Sequence, residues 1–247
     1  MMIRKIVLLL ILPWQLWGIV MIKPLDVGEQ EEGLSGTLLT TLSSFQGNNE
    51  LSIVDVGASL QWDGNESLAF LHGSYQYTQA KAVETQNQGY AHLRYIHQLT
   101  QGIDGELFLQ EHFNTFQNLL SRTLIGANVR FWGGASHDWG RFYLGTGLFE
   151  VAELEESASM HHFWRTNFYL SYKYLLDEVV EASMLGYLQP MIGAFNDFLA
   201  VATAQVEVKA TKNFSVVVSL NIAYDSMPAV GIKHEDISQA VALRYRF

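Results

Sequence analysis

The amino-acid sequence predicts an all-β fold, a transmembrane antiparallel up-and-down β-barrel of about twelve strands. Segments of strand length, separated by turn-forming residues, recur from residue 34 to the end of the chain. Along most of them apolar and polar residues alternate, so one face of each strand is apolar, because successive side chains point to opposite faces. Aromatic residues stand at the strand ends, where the strands of a membrane barrel meet the two lipid–water interfaces.

The last two segments show this pattern most clearly. In residues 237–247 the apolar face ends in Tyr245 and Phe247, whereas the other face is small or cationic. In residues 214–224 the apolar face begins and ends with an aromatic residue and consists of Phe214, Val216, Val218, Leu220, Ile222 and Tyr224. A soluble antiparallel sheet also alternates, with its apolar face on a core, so this hairpin alone leaves both folds open.

The predicted strands follow one another along the whole chain. In order, they are residues 34–45, 51–62, 67–77, 90–99, 105–113, 120–132, 141–151, 163–174, 179–189, 198–209, 214–224 and 237–247. The fifth is ambiguous, because both of its faces carry apolar and polar residues, and its orientation stays open. In the seventh, Gly145 and Gly147 indicate either a bend or room for a bulky neighbour. Pro190 and Gly193 end the ninth.

The connections between these strands predict two unlike rims. Those at 63–66, 100–104, 175–178 and 210–213 are short, and those at 78–89, 152–162 and 225–236 are longer. Outer-membrane barrels have short turns on the periplasmic rim and longer loops outside, and an even strand number leaves both termini on the periplasmic side. The connection at 133–140 is longer than that pattern prefers.

Charge and aromatic placement favour the barrel over a soluble sandwich. Nearly all in-strand charges fall on the less apolar face, which would line the lumen. There we expect Asp55, Glu181 and Glu207 to pair with cations drawn from Arg94, Arg122, Arg130, Arg165, Lys173, Arg244 and Arg246. The strand-end aromatics, which suit a lipid interface better than a core, are Trp62, Tyr77, Trp132, Trp164, Tyr174, Tyr224 and Phe247.

Composition excludes several classes of function. Charged residues make up 16% of the chain, below the roughly 25% of soluble domains, while the aromatic fraction is 13% and the mean hydropathy only +0.08. A net charge of −10 argues against a nucleic-acid partner, which needs a basic surface. The absence of cysteine removes disulfides, thiolate catalysis, cysteine-ligated zinc and lipid attachment through an amino-terminal cysteine.

The amino end predicts export. Arg4 and Lys5 precede an apolar block, which is the pattern of a secretory signal peptide over residues 1–22 with an unclear cleavage site. The alternative is an uncleaved anchor helix over residues 6–22, a length close to the shortest helix that spans a membrane. Residues 23–33 form an acidic flexible lead, and residues 34–247 form the single barrel domain.

One block of sequence resembles a known family. Residues 108–130 read FLQEHFNTFQNLLSRTLIGANVR. They resemble the salt-induced outer membrane proteins, a bacterial barrel family of unknown function, at Glu111, Phe113, Asn114, Phe116, Arg122, Gly126 and Ala127. The likeness is spread over about residues 52–247 and includes Gly145, Gly147, Glu150, Glu153 and the terminal ALRYRF, although Asn128 stands where a glycine is usual.

This resemblance implies a fold and a location, the outer membrane of a Gram-negative bacterium, but no activity. The expected partners are outer-membrane lipid and lipopolysaccharide, and the barrel assembly machinery, because the terminal Phe247 with alternating aromatics resembles the signal that this machinery reads. We expect a monomer with a structural or envelope role, or a narrow channel for small solutes. No cofactor is expected.

The alternative function is a lipid hydrolase. Outer-membrane phospholipases and lipid A deacylases place a histidine and a serine two residues apart on a strand, and His72 and Ser74 have this spacing. Those families follow the serine with asparagine, whereas Tyr75 follows here, and the alternation turns His72 towards the lumen, away from lipid. We therefore expect no enzymatic activity and no catalytic residue.

The histidines near residue 161 raise the alternative of a metal site. His161 and His162 are adjacent and point to opposite faces of a strand, so together they cannot hold one ion. With His137, Glu155 and Glu156 they could form a loop site, but solvated charge is the simpler interpretation, and no metal site is expected. The acidic stretch 153–156 predicts a solvated rim, with cation bridging to lipopolysaccharide as an alternative.

Overall fold

The computed structural model describes residues 27, 32–45, 50–134, 140–155, 160–228 and 233–246. The predicted signal peptide, residues 46–49 and nearly all of the acidic lead lie outside this range, as do His137, Glu156 and Phe247.

The described chain folds into a closed antiparallel barrel of twelve strands, which confirms the predicted fold class. Each strand pairs with its neighbour in sequence, and the first pairs with the last to close the ring. The strands are β1 Gly33–Phe45, β2 Leu51–Asp63, β3 Ser67–Ala80, β4 Val83–Thr100, β5 Ile103–Asn114, β6 Leu119–Gly133, β7 Arg141–Glu155, β8 His161–Leu175, β9 Val180–Met191, β10 Ala194–Lys209, β11 Phe214–Asp225 and β12 Glu235–Arg246. A 3-10 turn, Thr115–Gln117, joins β5 to β6. The described residues contain no helix that is long and apolar enough to cross a membrane.

The predicted long connection at 78–89 is wrong. β3 and β4 continue through this stretch and meet at a two-residue turn, Lys81 and Ala82, whose φ angles are 49° and 61°. Such positive φ values suit a tight hairpin, but the turn is usually made by Asn and Gly, so its sequence carries no recognisable signal. β9 and β10 also join through two residues, at 192–193, whereas the connection between β11 and β12, residues 226–234, is long as predicted. The rim opposite the termini therefore has both short turns and a long loop.

The outward and inward faces match the predicted alternation. Leu93 and Ile125 point outward and are 48% and 57% exposed, whereas the inward Arg94 and Arg130 are 4% and 1% exposed. A sandwich with the apolar face sealed inside is therefore excluded for the described chain. The charged face is the enclosed one, because closing the sheet leaves the polar side chains facing one another.

Aromatic side chains mark both edges of the outer apolar band. On β11, Phe214 lies at one end and Tyr224 at the other, and they stack on Tyr245 and Phe198 respectively. Ten residues of strand extend about 33 Å, which at a tilt of roughly 40° spans about 25 Å, the height of the apolar band in membrane barrels. The outer face thus has the dimensions of a membrane-spanning band.

Candidate functional site

A buried ion-pair network lies inside the barrel where β4, β5 and β6 face the lumen. The Arg130 guanidinium donates to Asp104, with Nη2 2.5 Å and Nε 2.8 Å from Oδ2. Its Nη1 lies 3.6 Å from Oε1 of Glu106, and Arg94 Nη1 approaches the same oxygen at 3.9 Å. All four side chains are 4% exposed or less, so each charge is screened by its partners and not by water.

Two bonds carry this network across the lumen. The Tyr169 hydroxyl on β8 donates to Glu106 on β5 at 2.9 Å. The Arg94 guanidinium on β4 donates to the Tyr187 hydroxyl on β9. β4 and β9 are five strands apart in a ring of twelve, so the second bond joins nearly opposite walls. We call these six residues, Arg94, Asp104, Glu106, Arg130, Tyr169 and Tyr187, the lumen plug.

Aromatic and apolar side chains pack against the plug from β7 to β11. Buried Tyr143, Tyr169, Leu185, Tyr187, Val201 and Ala223 form one contiguous cluster. The Arg130 guanidinium carbon lies 4.7 Å from the centre of the Tyr143 ring, and the Trp132 indole donates to Asp104 at 3.1 Å. The predicted place of Trp132 at the lipid interface is therefore wrong, because its side chain faces the lumen. The interior from β4 to β9 is therefore packed like a protein core, with polar members that bond to one another.

Gly145 makes room for one member of the plug. It faces the lumen on β7, and a Cβ at this position would collide with the ring of Tyr169. Of the two predicted roles for this glycine, room for a bulky neighbour is the one that the structure shows. The plug therefore depends on a missing side chain as well as on the six present.

The two acids of the plug were absent from the predicted set of lumen partners. The predicted turn at 100–104 left Asp104 outside a strand, but β5 begins at Ile103 and Asp104 is fully buried. The orientation of β5 was ambiguous because Glu111 lies on the outer face, where it accepts from the hydroxyls of Ser121 and Thr123. A usable signal was present, since the even-numbered positions 104–114 are all polar except Phe108.

The predicted ion pairs are partly confirmed. Arg244 donates to Glu207, as expected. Asp55 instead accepts from an amide, that of Gln76, and Glu181 lies opposite Glu207 in the register of β9 and β10. Two of the other cations find acids that the prediction did not include: Arg122 pairs with Glu153 at 2.5 Å, and Arg165 with Asp197 at 2.6 Å.

The remaining wall of the lumen, from β10 through β12 to β3, is lined by smaller side chains. Many are neutral, polar and half-buried, among them Ser35, Thr37, Ser59, Thr203, Asn221 and Ser238. The Thr203 hydroxyl donates to Asn221 at 2.9 Å, and Asn221 donates to Ser238 at 3.3 Å. We call the inward residues of β10–β12 and β1–β3 the small-residue wall.

His72 and Ser74, the residues of the hydrolase alternative, lie on this wall. Both face the lumen, as the alternation predicted, and the outward neighbour Tyr75 is 41% exposed. The His72 ring lies between Phe70 and Tyr90, with ring centres 5.9 and 5.3 Å away. Neither polar group is presented to the outer surface, where lipid would lie.

The histidines considered for metal binding are not gathered into a site. His162 lies on the outer face and its Nδ1 is 3.1 Å from a carboxylate oxygen of Glu150, with both side chains exposed. Within the described ranges, no group of three or more histidine, aspartate or glutamate side chains could hold a metal ion.

Comparison with known proteins gives a family and a fold. Residues 41–247 match the family described as "Protein of unknown function, DUF481". The NanC porin is 8% identical, with a TM-score of 0.54 over 87% of this chain and 99% of the porin chain. The translocator domain of the autotransporter NalP from Neisseria meningitidis is 12% identical, with a TM-score of 0.46 over 90% of this chain and 91% of that one. No curated protein matches the sequence.

Proposed function

The chain belongs to the DUF481 family of proteins of unknown function, and from that premise we propose that it is an outer-membrane barrel with a narrow, largely occluded lumen. The outer apolar band and its aromatic edges support a membrane location. The bacterium is Gram-negative on this proposal, since closed barrels of this kind span its outer membrane. Small solutes are the only cargo that the remaining space would pass.

One observation carries the proposal, namely the lumen plug. Eight strands enclose a space that side chains just fill, and sixteen leave an aqueous pore, so twelve strands allow either outcome. Here bonds from β4 to β9 and from β5 to β8 cross the interior, and the residues that make them are buried. Inward side chains of the small-residue wall such as Ser59, Thr203 and Asn221 are only half-buried, so we place the remaining space beside this wall, as a narrow, off-centre passage.

Planar-bilayer recording tests this proposal. We expect purified protein to show a small conductance, and the Tyr169→Ala/Tyr187→Ala variant to show a several-fold larger one, because two phenol rings leave the lumen without a change in charge. The matched control, Tyr95→Ala/Tyr224→Ala, removes two exposed outer-face tyrosines and should conduct like the parent. A large steady conductance of the parent protein, or no increase after the plug tyrosines are removed, would overturn it.

The location and partners have their own test. We propose that the exported chain is inserted by the barrel assembly machinery, stays monomeric, and contacts lipid and lipopolysaccharide through its outer face. Fractionated cells should contain it in the outer membrane, and unboiled protein should migrate differently from boiled protein on a gel. Recovery in the soluble fraction would contradict the location, and a multimeric mass in detergent would contradict the monomer.

The finer family assignment is part of this proposal. We place the chain with the salt-induced outer membrane proteins, because the block that resembles them, residues 108–130, spans the second half of β5, the 3-10 turn and most of β6. That block supplies Glu106's neighbours Asn128 and Arg130. Expression that rises when the source bacterium is grown in high salt would support the assignment, and unchanged expression would oppose it.

We also propose that the protein is not a lipid hydrolase. His72 and Ser74 face the lumen, so a lipid in the surrounding membrane would have to enter the barrel to reach them. This inward orientation supports the proposal that the protein does not hydrolyse membrane lipid.

A further inference from the structure

Three consecutive strands of the small-residue wall carry no lysine or arginine. In β1, β2 and β3 the only acidic or basic residues are Asp55 and Asp63, both on β2, and His72 on β3. Asp55 and Asp63 both project into the lumen, because they share the inward face with the buried Gln61. The wall that borders the remaining passage is therefore anionic over a quarter of the barrel's circumference.

Asp55 is held by an oriented chain of amides. Gln76 donates to Asp55 Oδ2 at 3.3 Å, and its own oxygen accepts from Gln88 at 2.6 Å and Gln86 at 3.0 Å. Asn114 in turn donates to Gln88 at 2.7 Å. Because a carboxylate only accepts hydrogen bonds, it fixes the direction of each amide along this chain. Amides stabilise the negative charge of Asp55 without neutralising it.

Asp63 repeats the arrangement near the rim that carries the termini. The Gln61 side-chain nitrogen donates to both carboxylate oxygens of Asp63, at 2.9 and 2.8 Å. The two acids are eight residues apart on one strand, about 27 Å along it. One carboxylate thus lies towards each end of the same wall, and each is bound by an amide.

Four of the other lumen carboxylates differ in having a cationic partner. Asp104 and Glu106 bind the plug arginines, while Asp197 and Glu207 bind Arg165 and Arg244. These pairs cancel in charge, and Arg94 and Arg130 are too deeply buried to face a solute. Along β1–β3, the charge that a solute meets beside the plug is therefore set largely by the two acids of β2.

We propose that the passage prefers small cations over anions, and that Asp55 is the residue that determines this preference. This rests on the proposed narrow channel. Acidic side chains lining a constriction attract cations and repel anions, and low-dielectric walls strengthen both effects because they focus the field. Asp55 is the stronger determinant because it is half-buried and open to the lumen, whereas Asp63 is 2% exposed.

Reversal potentials of the purified full-length protein in a planar bilayer under a KCl gradient test the proposal. We expect the parent to reverse towards the potassium equilibrium potential, Asp55→Asn to shift towards zero, and Asp55→Glu to retain the parental value. The isosteric control Glu150→Gln removes an acid from the outer face and should leave the potential unchanged. An anion preference in the parent, or an Asp55→Asn potential equal to the parental one, would overturn the proposal.

The same measurement in the Tyr169→Ala/Tyr187→Ala background separates the two proposals. These tyrosines are uncharged, so opening the plug leaves the charge of the wall as it is. If the parent shows a large conductance whose cation preference still depends on Asp55, the narrow channel is overturned and the selectivity proposal stands. If the currents are small but do not depend on Asp55, the selectivity proposal is overturned and the narrow channel stands. If no current flows in either background, both proposals are overturned.

Discussion

The two sides of the lumen are built on the same alternating strands and yet have opposite interiors. From β4 to β9 the inward side chains are large, and arginines, acids and tyrosines bond across the barrel in a packed plug. From β10 through β12 to β3 many of them are smaller and half-buried, although Val201 and Ala223 belong to the packed cluster, and polar groups such as Thr203 and Asn221 bond to the adjacent strand. The comparison shows that strand number sets the space available, whereas side-chain size and pairing decide how much of it stays open.

The largest effect is expected where a plug charge loses its partners. Glu106→Ala removes the acidic partner of Arg94, removes one of two acids from Arg130, and deprives the Tyr169 hydroxyl of its acceptor. Breaking a buried ion pair from one side costs about 3–5 kcal/mol. On the small-residue wall, Ser238→Ala removes one hydrogen bond and should cost about 1 kcal/mol. Urea unfolding of both variants in lipid vesicles measures their free energies of unfolding. Equal losses of stability in the two variants would show that the two sides of the lumen do not differ.

A smaller loss is expected from overfilling the plug. Gly145→Ala places a methyl group against the Tyr169 ring and should cost about 1–3 kcal/mol. Gly186→Ala is the matched control, because its Cβ would lie an ordinary 3.7 Å from the carbonyl oxygen of Val201. The same unfolding assay reports both. Equal stability of Gly145→Ala and its parent would mean that Tyr169 does not need the space.

The pairing of β1 with β12, which closes the barrel, can be tested by an engineered disulfide on the side of the small-residue wall. Leu38 and Tyr245 are direct partners in the β1–β12 register, and the chain has no cysteine of its own. Leu38→Cys/Tyr245→Cys should form a disulfide on mild oxidation, since directly opposite strand residues have suitable Cβ separations. Leu34→Cys/Tyr245→Cys is out of register and should stay reduced. Thiol labelling after oxidation distinguishes them, and cross-linking of the second pair alone would contradict this register.

The smallest effect is expected at the residues of the hydrolase alternative. Refolded protein should release no fatty acid from phospholipid or lipid A, and His72→Ala and Ser74→Ala should behave like the parent, because both side chains face the lumen. Fatty-acid release measured by mass spectrometry checks this. Hydrolysis by the parent that either substitution abolishes would make the protein an enzyme.

Much of the fold could be predicted from the alternation of apolar and polar residues along each strand. The predictions that were wrong or left open have local causes. The orientation of β2, β4 and β6 was evident because their charges all lie on one face. β5 is ambiguous because Glu111 puts a charge on its outer face, where the hydroxyls of Ser121 and Thr123 on the neighbouring strand bond to it. The hairpin at Lys81 was missed because neither turn residue is of a type that favours positive φ.

The candidate site was less predictable than the fold. Arg94 and Arg130 were assigned to the lumen, but their partners Asp104 and Glu106 were not, and one depended on a strand boundary. The role of Gly145 needed the position of Tyr169 on the next strand. A glycine in the sequence indicates only that no side chain is present at that position. The packed structure is needed to show which neighbouring side chain fills the space.

By itself, the sequence determined which residues of each strand share a face and that the apolar face is the outer one, because a period of two is a local property of the chain. The tertiary structure decided which charges meet. Asp104 and Arg130 bond because the β5–β6 register sets them opposite each other. Closure of twelve strands brings Tyr187 to Arg94 from nearly the opposite wall. Register and curvature arise from all strands together, so no single stretch of sequence contains them.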